Sequence, residues 1–470
     1  MSFGLVGARL GHSCSPRIHA LLGNPDYRLI ELDEPAMRDF FAARDFDGVN
    51  VTIPYKRAVL PLLDCVDRRA ARIGAVNTVV RGADGRLTGY NTDFDGFSAL
   101  CAYADVPLRG RRVLILGSGG TAQTVRAVAE EAGAADIRTV SRSGELNYET
   151  MYELRETEVL VNTTPVGMFP DNDGCPADPS RFPALRGVLD VVFNPQTTEL
   201  VRRARAAGLP ASGGLPMLVM QAVRAHELFF GRPVEPQTAA RVLETILGER
   251  RSYVLIGMPG CGKTTVGKLL AALCGRRFCD LDAEIAHRSG LSAAEWIQTR
   301  GEAAFRAYEI EVCAALAAES GLVIACGGGT VTREENMRRL ARNGVLVYLT
   351  RPLEAFATEE RPLSAGGVAA LYEARRPLYE AYADITVAND GDPAETGRAR
   401  LARVENRKEA PWCGSPCSTD PTSTCSACAS RTCTAAPTTP RSSAPSATTL
   451  RRPERRLSSR RPIPRAGWSA

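Results

Sequence analysis

The sequence predicts an α/β protein of several domains, with parallel sheets joined by crossover helices, followed by a segment that does not fold. Three observations predict it. Five short apolar runs, VLILG at 113–117, EVLVN at 158–162, YVLIG at 253–257, LVIACG at 322–327 and VLVYL at 345–349, have the unbroken hydrophobicity of strands buried on both faces. Amphipathic stretches such as TAQTVRAVAEEAG lie between them, the alternation of βαβ units. A length of 470 residues provides for two to four domains. No run approaches the roughly 18 apolar residues of a membrane span. The start, MSFGLVGARLGHS, lacks the basic-then-apolar layout of a signal peptide, so a cytoplasmic protein without a membrane partner is expected.

Residues 1–103 contain four strings that group Ser, Thr, Asn, Lys or Asp beside Gly or Pro: HSCSP at 12–16, NVTIPYK at 50–56, GAVNT at 74–78 and GYNTDFDGF at 89–97. Such side chains suit a polyhydroxylated ligand. Singly, each string reads equally well as turn chemistry. From residue 104 a dinucleotide-type unit follows. The strand VLIL runs into Gly117, Ser118, Gly119 and Gly120, and a helix opens at Thr121. Glycines at such a turn let backbone N–H groups reach a pyrophosphate at the helix's positive end. The next strand, IRTV, ends in Ser141, Arg142 and Ser143. An acidic residue there holds the ribose 2′-OH of NAD, whereas an Arg between two Ser suits the 2′-phosphate of NADP. The competing reading is a solvated loop Arg.

Taken together, these strings resemble the shikimate dehydrogenase family over about residues 3–247, and the resemblance continues in NTTPVGM at 162–168, DVVFNP at 190–195 and GLPMLVMQA at 214–222. It implies a substrate domain of residues 1–103 completed by 219–248, a Rossmann NADP domain of 104–218, and reduction of 3-dehydroshikimate to shikimate with NADPH. It also implies that Lys56 and Asp93 form the catalytic pair. Ser13, Ser15, Thr52, Asn77, Asp93 and Gln221 would grip shikimate, and Gly214 would touch the cofactor. The chemistry is consistent. Hydride adding to a carbonyl carbon leaves an oxygen that needs a proton, and an ammonium held by a carboxylate supplies one, worth about 10²–10⁴ in rate. Two positions depart from the family pattern: SRS replaces NR-T-like residues, and Phe193 precedes Asn-Pro where Tyr is usual.

Around Gly248–Arg251 the helix–strand pattern restarts, which places a domain boundary there. GMPGCGKTT at 257–265 then matches G-x-x-x-x-G-K-[ST] between a strand and a helix. The loop Gly260, Cys261, Gly262 and Thr265 cradles phosphates, Lys263 neutralises them, and Thr264 ligates Mg²⁺. FCDLD at 278–282, GEAAFRAYE at 301–309, CGGGT at 326–330, ERPL at 360–363 and ARRPLY at 374–379 follow.

This set resembles shikimate kinase over about 251–390. It implies a P-loop, nucleoside-monophosphate-kinase-like domain of residues 251–396 that phosphorylates shikimate with ATP and Mg²⁺. Asp282, Arg306, Gly328 and Arg375 would hold shikimate, the two Arg matching its carboxylate with a planar fork. Asp282 would orient or deprotonate the 3-hydroxyl, Asp280 would sit near the metal, and Arg361 would reach the transferred phosphate, with Lys263 as the catalytic cation. The bland alternative for Arg306 and Arg375 is a surface salt bridge. The stretch 354–373 is short for the family's lid. Two separate motif sets thus converge on one metabolite.

The remainder reads quietly. His12, His19, His226 and His287 have no metal-ligand spacing, and nine Cys before residue 411 are scattered without C-x-x-C, as free thiols in a reducing compartment. Residues 397–470 form a low-complexity tail expected to be disordered. From 411 onward it holds nine Arg against two acids, a net of +7, so subtracting this from the total of +5 leaves −2 for the rest. The basic excess therefore argues for no nucleic-acid partner, and the partners expected are small-molecule substrates. Zinc or nucleic-acid binding through the Cys- and Arg-bearing tail is the non-enzyme alternative. A quinate/shikimate dehydrogenase using NAD, with an impaired kinase, is the alternative among enzymes. Read in a frame shifted by two bases, codons compatible with residues 418–436 also spell DGPNLNMLGVREPDVYGG, which resembles the start of type II 3-dehydroquinate dehydratase. Out-of-frame translation of such a gene is thus a further reading of the tail. No sequence feature assigns an oligomeric state.

Overall fold

The computed structural model describes residues 2–11, 13–352 and 367–390. Three sheets organise them. The first contains β1 (Phe3–Gly7), β2 (Arg28–Glu31), β3 (Gly48–Val51), β4 (Cys65–Val66), β5 (Thr78–Arg81) and β6 (Leu87–Tyr90), in the order β2-β1-β3-β5-β6-β4. It is mixed: β1, β2 and β3 are parallel, and β5 runs antiparallel to β3 and β6. That reversal brings the start of β5 and the end of β6 to the edge where β1 and β3 end, so the loops carrying all four N-terminal strings collect on one rim.

The second sheet is wholly parallel: β7 (Arg112–Leu116), β8 (Asp136–Val140), β9 (Val159–Asn162), β10 (Gly187–Asp190) and β11 (Ala211–Ser212), in the order β11-β10-β9-β7-β8. Within the domain this is the doubly wound order 2-1-3-4-5, whose switch point falls between β7 and β9, where such sheets bind ligands. The third sheet, also parallel, holds β12 (Ser252–Ile256), β13 (Arg277–Asp280), β14 (Leu322–Ala325), β15 (Gly344–Thr350) and β16 (Ile385–Ala388), in the order β13-β14-β12-β15-β16. All five apolar runs read as buried strands are strands in these two parallel sheets. β9, β12 and β14 are buried at every position, because helices cover both faces.

Two helices link the first two sheets. Asp93–Tyr103 and Leu215–Phe230 pack against each other so closely that a Cβ on Gly96 would lie 2.6 Å from the Met217 carbonyl oxygen. The glycine in DFDGF is therefore a packing requirement. The predicted boundary at 248–251 is no loose linker. The helix Pro236–Arg250 runs almost directly into β12, and residues of the third unit take its last carbonyls: Arg276 donates to Gly248 O at 2.7 Å and to Arg251 O, and Gly321 N–H donates to Arg250 O at 3.1 Å. Among the described residues no helix is long and apolar enough to cross a membrane.

Candidate active sites

At the rim of the first sheet, Lys56 Nζ donates to Asp93 Oδ2 at 2.6 Å. Asp93 is buried at the first turn of its helix, where the macrodipole favours a carboxylate. The backbone ties the strings together: Val76 N–H donates to Lys56 O at 2.8 Å, and Val51 N–H donates to Asn77 O at 2.8 Å. Asn77 is buried, and its Oδ1 accepts from Thr92 N–H at 2.7 Å, beside Asp93. Thr92 Oγ1 lies 3.4 Å from Gln221 Oε1, which brings the Leu215–Phe230 helix to the same place. Thr52 follows β3 directly, its N–H donating to Val6 O at 3.0 Å. Ser15 begins the helix Ser15–Leu21, and its N–H donates to Ser13 Oγ at 3.2 Å. The contacts thus bring Lys56, Asp93, Asn77 and Gln221 together, with Thr52, Ser13 and Ser15 on the loops that leave β3 and β1.

The dinucleotide groove lies at the switch point. Gly117 has φ +103° and faces β9, where a Cβ would come within 2.9 Å of Thr163 Oγ1 and Thr164 Cγ2. Gly119 and Gly120 face open space at the N-terminus of the helix Gly120–Glu131, and with Ser118 they are exposed. This is a cradle in which phosphate oxygens meet free N–H groups, and Thr121 sits in its first turn. Ser141, Arg142 and Ser143 follow β8 on the same edge, with Arg142 and Ser143 exposed. A Cβ on Gly214 would fall 2.1 Å from Val191 O, so only glycine allows the start of the Leu215–Phe230 helix to approach the end of β10.

Sequence reasoning missed two residues here. Asp190 is wholly buried, which pushes its carboxyl up to about 7. It accepts from Thr198 Oγ1 at 2.7 Å, Asn162 Nδ2 at 2.9 Å and Val192 N–H at 3.0 Å. Arg250 places Nη1 3.2 Å from Cys14 Sγ and its guanidinium carbon 5.8 Å from the Phe193 ring, beside the substrate strings. The burial of Asp190 inside DVVFNP offered a signal for the first. Nothing local marks Arg250.

In the third unit a cavity of about 850 Å³ gathers nearly every residue expected of it, among them Gly260, Gly262, Lys263, Thr264, Thr265, Asp280, Asp282, Arg306, Gly328 and Arg375. Gly262, at φ +92°, precedes the helix Lys263–Cys274, and its neighbour Asn389 donates Nδ2 to Cys261 O at 2.8 Å. Lys263 is buried, with Nζ 3.0 Å and 2.9 Å from Gly257 O and Met258 O. The Cys261 thiol is fully buried beneath Gly257, so the residue contributes its backbone to the loop.

Thr264 Oγ1 donates to Asp280 Oδ2 at 2.7 Å, and Asp280 caps the helix Leu281–Ser289 through Asp282 N–H at 3.1 Å. Burial and the charges of Asp280 and Glu309 raise the Asp282 carboxyl, against Lys263 and Arg306. Arg306 is no surface ion pair. It is 5% exposed, donates Nη1 to the fully buried Glu309 at 3.0 Å, and lies where a Cβ on Gly329 would sit 2.2 Å from Nη2. Glu309 also accepts from Thr330 Oγ1 at 2.8 Å, and Tyr379 donates its hydroxyl to Gly328 O at 2.6 Å. Glu309 stands at i+3 from Arg306, a spacing that marks a helical ion pair. Arg361 and residues 354–366 of the shortened lid lie outside the described residues, as does the tail. Cys14, Cys65, Cys101, Cys175, Cys261, Cys279, Cys313 and Cys326 are free thiols.

A parallel doubly wound sheet with a glycine phosphate turn, beside a Lys–Asp pair, defines a dinucleotide-dependent oxidoreductase, and the cavity over a P-loop defines a phosphotransferase. Comparison with known proteins makes both specific. Residues 5–79 match the shikimate dehydrogenase substrate binding domain, and residues 259–404 match shikimate kinase. The chain is 34% identical over 271 residues to a shikimate dehydrogenase (NADP(+)) of Clostridium perfringens (strain SM101 / Type A), covering 52% of this chain and 97% of that protein. It is 37% identical over 257 residues to that of Geobacillus kaustophilus (strain HTA426), covering 49% and 92%. A crystal structure of a chorismate mutase/shikimate 5-dehydrogenase fusion protein from Clostridium acetobutylicum shares 32% identity, covers 52% of this chain and 96% of that one, and has a TM-score of 0.49. The chain belongs to the shikimate dehydrogenase family, and fused behind that half is a shikimate kinase domain: it is a bifunctional enzyme of the shikimate pathway.

Proposed function

We propose that the chain reduces 3-dehydroshikimate to shikimate at the Lys56–Asp93 site and phosphorylates the 3-hydroxyl of shikimate in the cavity over the P-loop. The observation that carries the reading is the cavity of the third unit, in which a phosphate-binding Lys263 and two arginines suited to a carboxylate, Arg306 and Arg375, face one space with Asp282. An acid with a phosphorylatable hydroxyl is what such a space takes, and shikimate, the product assigned to the first site, is such an acid.

In the first reaction NADPH, when bound, supplies the hydride. Gly117 and the open turn at Gly119–Gly120 fit its pyrophosphate, and Arg142 at the end of β8 fits its 2′-phosphate. Lys56 delivers the proton to the carbonyl oxygen, and Asp93 holds the ammonium in place for that transfer. Ser13, Ser15, Thr52, Asn77 and Gln221 bind the substrate's hydroxyls and carboxylate. The exposed Arg142 favours NADP over the alternative of an NAD-dependent quinate/shikimate dehydrogenase.

In the second reaction ATP with Mg²⁺ supplies the phosphoryl group. Thr264 Oγ1 and Asp280 Oδ2 are hard oxygen donors 2.7 Å apart at the P-loop, a donor set that would hold a magnesium ion and let it offset phosphate charge. Asp282 accepts the 3-hydroxyl proton, a task its raised carboxyl suits, and Lys263 leaves its loop carbonyls for the phosphates. A cytoplasmic setting accords with the free thiols. The test is a coupled assay: 3-dehydroshikimate, NADPH and MgATP yield shikimate 3-phosphate. With shikimate supplied directly for the second step, Lys56→Ala stops only the reduction and Lys263→Ala only the phosphorylation. Loss of both steps in either variant contradicts independent sites.

A further inference from the structure

The kinase unit grips the dehydrogenase unit through the end of its helix Glu334–Leu340 and the turn after it. Arg342, 5% exposed, pairs with Asp173 of the dehydrogenase unit, and Arg339 Nη2 reaches the same carboxylate at 2.8 Å. Beside this pair, Gln196 N–H donates to Asn343 Oδ1 at 2.9 Å and Thr197 N–H donates to Arg342 O at 3.0 Å. Two successive amides of the loop after Asn194–Pro195 are thus satisfied by the kinase unit. Without it they would seek water or another partner, and the loop would lose its reason to hold this shape.

That loop belongs to the dinucleotide site. Gln196 O lies so near Gly213 that a Cβ there would come within 2.4 Å, and Gly214 follows. Thr198, next in the loop, donates Oγ1 to the buried Asp190 at 2.7 Å. Asp190 holds Asn162 Nδ2 at 2.9 Å, and Asn162 Oδ1 accepts from Thr164 Oγ1 at 2.7 Å, against Gly117. Hydrogen bonds, the peptide links of the 196–198 loop and close packing at Gly213 and Gly117 therefore connect the kinase's Arg342–Asn343 turn to the two glycine positions expected to border the cofactor.

We infer that the kinase unit is a positioning element of the dehydrogenase: its Arg342–Asn343 turn, locked by Asp173, sets the 195–198 loop and through it the NADPH groove. The inference rests on the dehydrogenase reading above. A contact that merely cements two units would leave cofactor affinity alone. A contact that positions the groove would show in the KM for NADPH before it shows in kcat.

The test uses full-length protein carrying Asp173→Ala, Arg342→Ala or both. Each single change is expected to raise the KM for NADPH about tenfold, within the range of coupling carried through packed networks. The kcat for reduction and the kinase kinetics are expected to stay within about twofold of wild type, the scale of substitutions away from a site. The double variant is expected to be no worse than Asp173→Ala alone, because that change already removes the pair that Arg342→Ala removes. Unchanged KM in both singles, additive losses in the double, or parallel loss of both activities in the same preparation would each overturn the inference. A wild-type chain that does not reduce 3-dehydroshikimate overturns the functional reading beneath it. An active wild type with unchanged variants overturns the coupling alone.

Discussion

Glu309 carries no ligand in this reading, yet its removal should disable the kinase. It is fully buried, its partner Arg306 is 5% exposed, and it accepts from Arg306 Nη1 at 3.0 Å and Thr330 Oγ1 at 2.8 Å. Glu309→Ala leaves a buried guanidinium and a buried hydroxyl without that acceptor. Breaking a buried pair by removing one partner costs about 3–5 kcal/mol, against about 0–1 for an exposed pair. At about 2–4 °C per kcal/mol for a domain near this size, the kinase unit's melting midpoint should fall by roughly 6–20 °C. The functional effect is separate. Arg306 lies against Gly329 and Thr330 follows it, so both flanks of the substrate turn lose their anchor. A charged hydrogen bond is worth about 1.5–3 kcal/mol, so the KM for shikimate should rise by roughly tenfold to a hundredfold while the KM for ATP stays near wild type. Glu309→Gln keeps the volume and the Thr330 bond and isolates the charge. Calorimetry and steady-state kinase kinetics on the same sample decide. A Glu309→Ala protein that melts within about 2 °C of wild type with an unchanged KM for shikimate refutes the reasoning.

Three further outcomes follow from the same structure. Arg142→Ala should raise the KM for NADPH by roughly tenfold to a hundredfold, the loss of one charge-assisted contact, and leave NADH kinetics unchanged; equal effects on both cofactors would remove Arg142 from the 2′-phosphate. His19 is buried on Tyr27, and burial with neighbouring His226 pushes it down to about 3, so the folded chain keeps it neutral. The unfolded chain takes up that proton near pH 6.5, so the stability His19 contributes is whole above that pH and is lost as pH falls toward 3, by up to roughly 4–5 kcal/mol. Urea unfolding of His19→Phe between pH 7 and 4 should show a flatter acid limb than wild type. Removal of residues 397–470 should leave both turnovers within about twofold. The coding DNA under residues 418–436, read two bases on, should spell the dehydratase-like string; any other string there ends the out-of-frame reading.

What the sequence made legible, and why, can be seen in the two sites. Ligand-facing residues sit in short loops at the ends of strands, so they appear as contiguous strings: NVTIPYK delivered Lys56, NTD delivered Asp93, and the P-loop delivered Lys263 and Thr264. Parallel strands buried on both faces were equally plain, because their runs are apolar without a break. The bounds moved by a residue or two, as for EVLVN, whose strand is Val159–Asn162. Cys261 shows that a position in a motif does not say which atoms of the residue serve it. Its backbone shapes the loop while its thiol packs into the core.

The residues that hold those loops in place were not legible, and the reason is separation along the chain. Asn389 braces Cys261 O from 128 residues away, and Asn343 braces Gln196 from 147. A supporting hydrogen bond needs only one polar atom at the right point, so it leaves no spacing, no motif and no periodicity at either end. Glu309 is the exception that supports the argument: it braces Arg306 from three residues away on one helix, and that spacing could have been read. Arg342 lies at the far extreme. It is a buried Arg whose partner, Asp173, stands 169 residues earlier in another unit. A buried, unexplained charge at a junction between two catalytic units is therefore the kind of residue a sequence hides, and the place where coupling between those units is to be sought.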